Sequence, residues 1–452
     1  MNLKTKMFFL SLFLCMGNML TGFSQGVKLP TLKVGAAKAD ITPAENALPK
    51  GYTSIHDKLF CRAIVIDDGT TSAALIAVDM GMVPNDLYDK VTKQIEKELG
   101  IPALNIFISA SHTHSAPRGG AIVEQGVVNA VKDAKAKLKP AKASYHTGSA
   151  YLNVNRDVIN PVTRLWSQGP NYDGPSDKTV AVIKFTDPNG EPIAVYYNYA
   201  MHANTMFMSG AISADFPGEA SKYVEEYYHN NMVAIFSSGA AGDQNPISVR
   251  PMQDVSKKKT DDLLAKGKAK DLNEAIMMAG FSGESDLVID KEVLARQTQM
   301  IASLGQMLGE EILRAMTLPQ KEETTLRISA SQKTITCPGR TRTNTGREGT
   351  EGTYVDGEPV NIKLSLLQLG NIALAGVNAE VYNPIALRLK EESPFNYTIF
   401  SSITNGGANS GYIPSDDAFQ RYTFQVLGSR LKPNCAENSI VDGLVDMMNK
   451  VK

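Results

Sequence analysis

Short apolar, β-branched runs alternate along the chain with stretches whose apolar residues recur every three or four positions, the rhythm of an α/β protein. KVGAAKADITP, residues 33–43, reads as a short edge strand ending in a turn. Phe60–Asp67 and residues 73–79 read as two strands about the turn Asp68-Gly69, a hairpin signal. A helix is expected from about Asn85 to Leu99, with Leu87, Val91 and Ile95 on one face and Gly100-Ile101-Pro102 as its stop. The apolar run Ile106, Phe107, Ile108 breaks off at SASHTHSAPRGG, and a helix follows over residues 121–138.

Beyond Pro140 the pattern is again strand-like. Residues 180–185 and 193–200 flank the turn Asp187-Pro188-Asn189-Gly190, and the second run stops at Met201-His202. Pro217 opens a helix that Asp215 or Ser213 can cap, running to about His229. Residues 232–236 form a short buried strand leading into the small-residue loop SSGAAGDQNP, where backbone can approach a ligand closely. Residues 254–285 read as a lysine-rich helical insertion or lid, and residues 287–316 as a long amphipathic helix. Strands at 326–337 and 360–377 flank a polar, Gly- and Arg-rich loop over 338–357. A helix at 384–390 follows a turn containing Glu380, a Gly/Asn loop spans 405–412, and a last helix covers 439–448. No internal repeat is visible. The expected fold class is α/β, mixed sheets with flanking helices, and in such folds ligands gather beyond the carboxyl ends of strands.

Composition narrows the class. With 452 residues, 43% hydrophobic and 21% charged, the chain buries a core without a disulfide scaffold. Residues 1–24 read as a bacterial export signal: Lys4 and Lys6, then an apolar run over 7–16 too short to span a bilayer, then Gly22 and Ser24 for cleavage near Gln25. Residues 25–452 are expected to form a single periplasmic or secreted domain with no transmembrane segment. Its 44 basic and 47 acidic residues give a net charge of −3, no footprint for a nucleic-acid partner. Cys61, Cys337 and Cys435 allow at most one disulfide, and Cys61, inside an apolar strand, reads as a core residue.

Two of only six histidines, His112 and His114, sit together where a strand ends. Imidazole is the commonest neutral metal ligand, and a catalytic zinc takes about three protein ligands plus an open position. His202 repeats the strand-end placement and is the best third ligand. His56, His146 and His229 are weaker candidates. No histidine follows His229, so carboxylate or phenolate must complete a metal site, and Glu380 and Tyr412 are the late candidates. There is no G-x-S-x-G nucleophile elbow and no phosphate-cradling glycine signature, which argues against serine and nucleotide chemistry.

These pieces resemble, in order, the catalytic domain of the neutral (non-lysosomal) ceramidases: VGAAKADITP, LFCRAIVID, ISASHTHSAP, NVNRD, YNYAMH, GAAGDQNP, GVNAEVYN, and SGYIPS followed by QRY, over residues 34–422. The resemblance implies that fold, with one zinc held by His112, His202, Glu380 and Tyr412. His114 then faces substrate, with Arg156 and Tyr422 holding substrate near the metal. It implies hydrolysis of an N-acyl, ceramide-like amide by zinc-activated water, the substrate being a lipid or small molecule. Asn245 in GDQNP stands where that family carries a serine proposed as catalytic, and an amide cannot replace a hydroxyl as nucleophile. The chain also ends about where the family's catalytic domain ends, so a relative without the C-terminal immunoglobulin-like domain is expected. Two other readings follow from these departures. One is a zinc hydrolase of a polar, carbohydrate-derived substrate, with Arg340 to Arg347 as a polar wall; the other is a non-catalytic binding protein on the same fold.

Overall fold

The computed structural model describes residues 31–452, apart from residues 281 and 347. The export signal expected at residues 1–24 lies outside the described residues. Three larger sheets carry the architecture, and each contains the same local unit. In the first, Phe60–Asp67 pairs antiparallel with both Lys33–Asp40 and Ser72–Val78; the chain then crosses through the helix Asn85–Leu99 to Ile106–Ala110, parallel to Ser72–Val78. In the second, Thr179–Thr186 pairs antiparallel with Pro192–Tyr199, and the helix Asp215–Tyr227 leads to the parallel strand Val233–Ser238. In the third, Tyr354–Leu369 pairs antiparallel with Ile372–Val377, and the helix Asn383–Glu392 leads to the parallel strand Tyr397–Ser401. The mixed α/β class expected from the chain is the one observed.

One core is shared by all three sheets. Ile64, Ile66, Leu75 and Phe107 from the first meet Ile183, Phe185, Tyr196 and Ile235 from the second and Leu367, Leu374 and Ile399 from the third. The opposite sheet faces are covered by helices. Ala63, Val65 and Ile76 pack on Val91, Ile95, Val127 and Val131, while Leu364 and Ala375 pack with Ile385, Ile440 and Leu444. Burial on both faces explains why these strands read as continuous apolar runs without clean alternation. Above the shared core lies a polar layer where the sheets converge: Ser109 Oγ is 3.1 Å from both Ser401 Oγ and Thr404 Oγ1, and the Asn198 amide donates to Ser237 and to the Phe400 carbonyl.

Several expectations change in detail. The strand expected over 360–377 is two strands folded about Gly370, whose φ of 59° suits a tight turn. The Arg-rich loop is much shorter than residues 338–357, because its flanks continue the hairpin Ile328–Arg342 with Tyr354–Leu369 past a bulge between Cys337 and Gly339. Arg340 is not a free wall there: its guanidinium lies 3.8 Å from the Tyr354 ring centroid and donates to the Ser429 and Val426 carbonyls. Cys337 pairs with Cys435, and Cys61 is a buried free thiol. Residues 254–285 hold most of the helix Arg250–Ala265 and all of the helix Leu272–Gly280, packed around Val255, Leu263 and Ala275. No helix among the described residues is long and apolar enough to cross a membrane.

Candidate active site

The three parallel crossovers bring their strand ends to one place. Ile106–Ala110 delivers His112 and His114, Pro192–Tyr199 delivers His202, and Ile372–Val377 delivers Glu380. Glu380 also pairs in register with Tyr412 in a two-residue parallel bridge, so one backbone contact carries two of the expected ligands.

His112 Nε2 lies 3.1 Å from His202 Nε2 and 3.2 Å from Glu380 Oε2, and His202 Nε2 lies 3.3 Å from the same oxygen. His114 Nε2 is 3.3 Å from His112 Nε2, and ligand atoms of the three imidazoles all fall within 4.8 Å of one another. A tetrahedral zinc with bonds of about 2.0–2.1 Å separates its ligands by about 3.3 Å, so the triangle has the right size. The proton positions agree. His112 Nδ1 sits 2.7 Å from the Gly81 carbonyl and His202 Nδ1 2.7 Å from the Ala241 carbonyl. A carbonyl only accepts, so each Nδ1 carries the hydrogen and each Nε2 turns a lone pair inward, the arrangement of a metal-binding imidazole. Glu380 Oε2 is buried there with no aligned donor. Bare nitrogens facing a carboxylate need a cation between them, and these residues fit zinc.

The electrostatics follow. Burial drives the His202 pKa down to about 4, with Arg156 adding to the effect. Burial, then His112 and His202, hold His114 well below its ordinary value, so it is a neutral imidazole. His112 moves the other way: burial works against its charge, but Glu380 lifts its pKa above the ordinary value. Burial also opposes the charge of Glu380, yet the adjoining His112 and His202 hold its carboxyl well below the usual range. Burial, then Glu380, raise the Tyr412 phenol while Arg156 opposes them.

Arg156 comes from the strand Asn153–Ile159 and is buried. Its Nη1 donates to Asn245 Oδ1 at 3.2 Å and its Nη2 to the Gly242 carbonyl at 2.5 Å, with the guanidinium 5.4 Å from the Tyr412 ring centroid and 5.3 Å from that of Phe424. Asn204 Nδ2 also donates to Asn245 Oδ1, at 3.3 Å. Asp243 braces this loop from behind. Its carbonyl accepts from Arg156 N, and its carboxylate accepts from Asn155 Nδ2 and Asn383 N; burial, then nearby Asp157, push its pKa up to about 7.

The structure therefore brings together His112, His114, His202, Glu380, Tyr412, Arg156 and Asn245. Tyr422 stands apart: it is half-buried with φ 49°, and its backbone carbonyl accepts from Gly349 N. Among the described residues no hydrogen bond or ring contact joins its side chain to the cluster. Phe424, two residues on, packs edge-on against Tyr412 instead, at 5.7 Å. His56 lies 3.7 Å from Asp57, His146 is buried against Ser144 Oγ, and His229 follows a helix end with φ 54°. Sequence reasoning missed the orienting carbonyls of Gly81 and Ala241, since any residue supplies a carbonyl. It also missed Asn204 and Phe424, and Phe207, whose ring meets His114 edge-on at 5.3 Å.

Comparison with known proteins agrees. The family model described as "Neutral/alkaline non-lysosomal ceramidase, N-terminal" matches residues 120–358, more than half of the chain. The neutral ceramidase of Drosophila melanogaster is 26% identical over 307 residues, covering 57% of this chain and 44% of that protein. The neutral ceramidase of Pseudomonas aeruginosa is 28% identical over 255 residues, covering 48% of this chain and 38% of that protein. The match thus spans less than half the length of these relatives. Two solved structures, a ceramidase complexed with C2 (TM-score 0.71) and the neutral ceramidase from Pseudomonas aeruginosa (TM-score 0.68), share this fold at 18% identity, each over 94% of this chain and 75% of theirs. The chain belongs to the neutral/alkaline non-lysosomal ceramidase family.

Proposed function

We propose that this protein is an exported, zinc-dependent amidase that cleaves the N-acyl bond of a ceramide-like lipid. The observation that carries the reading is the His112, His202 and Glu380 triangle, with both Nδ1 atoms tied to carbonyls. Those three side chains, with Tyr412 beside Glu380, would hold the metal. Zinc, when bound, polarises the scissile carbonyl and lowers the pKa of water from 15.7 towards about 7. His114, kept neutral by burial, is ready to take a proton from the attacking water and return it to the leaving amine. Arg156, fixed by Asn245 and the Gly242 carbonyl, supplies a preorganised positive charge for the oxyanion that develops. Phe207 and Phe424 give the surroundings an apolar character that suits a lipid, whereas the polar-wall reading loses Arg340 to internal contacts.

The test is metal content together with hydrolysis. Wild type should bind one zinc per chain and release fatty acid from a short-chain ceramide, and His202→Ala should lose both. Zinc-loaded wild type that cleaves neither ceramide nor simple N-acyl amides overturns the substrate class. Zinc binding that survives His202→Ala overturns the site.

A further inference from the structure

His112 holds its place at the metal centre against a conformational cost, since its φ is 63°, the left-handed region for a residue with a Cβ. Three contacts keep it there, all to the last residue of the strand Ser72–Val78 and the segment just past it. Ser111 N donates to the Val78 carbonyl at 2.9 Å, His112 N to the Met80 carbonyl at 3.0 Å, and His112 Nδ1 meets the Gly81 carbonyl. Asp79 sits in the middle of that segment, and its carboxyl is buried between Arg62 and Ser111, the residue before His112. Its Oδ2 accepts from Arg62 Nη1 at 3.0 Å and from Phe60 N at 2.9 Å, while Asp79 N donates back to the Phe60 carbonyl. Arg62 is fixed in turn by Glu225, whose carboxylate also takes Lys38 Nζ and Ala234 N. Arg62, Asp79 and Glu225 are each less than 5% exposed.

A buried ion pair is weak evidence for stability, because desolvation offsets most of its attraction, although removing one partner is costly. Its value lies in fixing a geometry. We infer that the Arg62–Asp79 pair is a positioning device for the metal centre: by locking the strand end at Asp79, it sets the carbonyls that orient His112. Neither residue touches zinc or substrate. The inference rests on the zinc reading above.

Partners that orient a ligand commonly account for about 10–100-fold in metal affinity. Asp79→Asn keeps the shape but weakens the hold of Arg62, and it should reduce zinc affinity by about that factor, measured by chelator competition on folded protein. Glu225→Gln disturbs the far end of the same buried network and should lower the melting temperature while reducing zinc affinity by less than Asp79→Asn does. Arg62→Lys keeps the charge but loses the fork, should weaken zinc binding in the same direction, and carries the test if Asp79→Asn fails to fold. A folded Asp79→Asn or Arg62→Lys protein that binds zinc as tightly as wild type sinks the inference, as does an equal loss in Glu225→Gln. Wild type that binds no zinc sinks the functional reading instead, so the two failures are distinguishable.

Discussion

At Asn245, two donors from different elements converge on one oxygen: Arg156 Nη1 and Asn204 Nδ2. Guanidinium nitrogens only donate, which fixes the amide with Oδ1 towards Arg156. Asn245→Ala removes the shared acceptor and leaves a buried guanidinium one partner short, a loss of about 1–3 kcal/mol. The expected result is a fall of about 10–100-fold in kcat/KM with zinc stoichiometry unchanged, read from steady-state kinetics and metal analysis. Chelatable zinc lost with activity would assign Asn245 to the metal site instead. At this scale the sequence was informative where a residue type is rare and chemically narrow. His112 and His202 stand out because imidazole at a strand end has few other uses. Phe424 shows the limit, since an aromatic residue packed on Tyr412 carries no pattern that marks it.

The recurring element is a helix-linked parallel strand pair that ends in site residues, present in each of the three larger sheets. Its strands and helices were legible from periodicity, apart from the strand Tyr397–Ser401 and the turn at Gly370 that divides the run expected over 360–377 into two strands. The long hairpin of the third sheet was not, because Gly and Arg residues read as loop although their backbone is paired out to Arg342 and Tyr354. Its bulge carries Cys337, and the disulfide to Cys435 ties this hairpin to the start of the last helix across 98 residues of chain. Closing so long a loop restricts the unfolded chain, and losing such a bridge costs about 2–5 kcal/mol. Cys435→Ser should shift the denaturant midpoint down accordingly while leaving turnover at 25 °C intact, because among the described residues no hydrogen bond joins either cysteine to the site residues. An unchanged midpoint would show that the bridge adds nothing to stability.

Over the whole molecule, buried carboxyls away from the candidate metal site make stability depend on pH. Burial raises Asp215 to about 6, although Met206 N and Phe216 N both donate to it. A carboxyl raised on folding binds its proton more tightly in the native state. Its contribution is therefore complete below about pH 4 and is lost as pH rises through about 6. In metal-free protein, where zinc release cannot contribute, Asp215→Asn should flatten the fall of unfolding free energy between those values by up to about 1.4 kcal/mol per pH unit. Parallel profiles for variant and wild type would remove Asp215 from the account. Taken alone, the sequence determined what local forces decide: which runs are strands, where helices start, and which residue types could bind a metal. It also carried enough family pattern to name the distant members of the site. Convergence was decided only in three dimensions. The shared core draws three strand ends together, the Glu380–Tyr412 register aligns two candidate ligands, and carbonyls of Gly81 and Ala241 choose the imidazole tautomers. Those are contacts between residues far apart in the chain, made by backbone groups that every sequence has, so no local pattern encodes them.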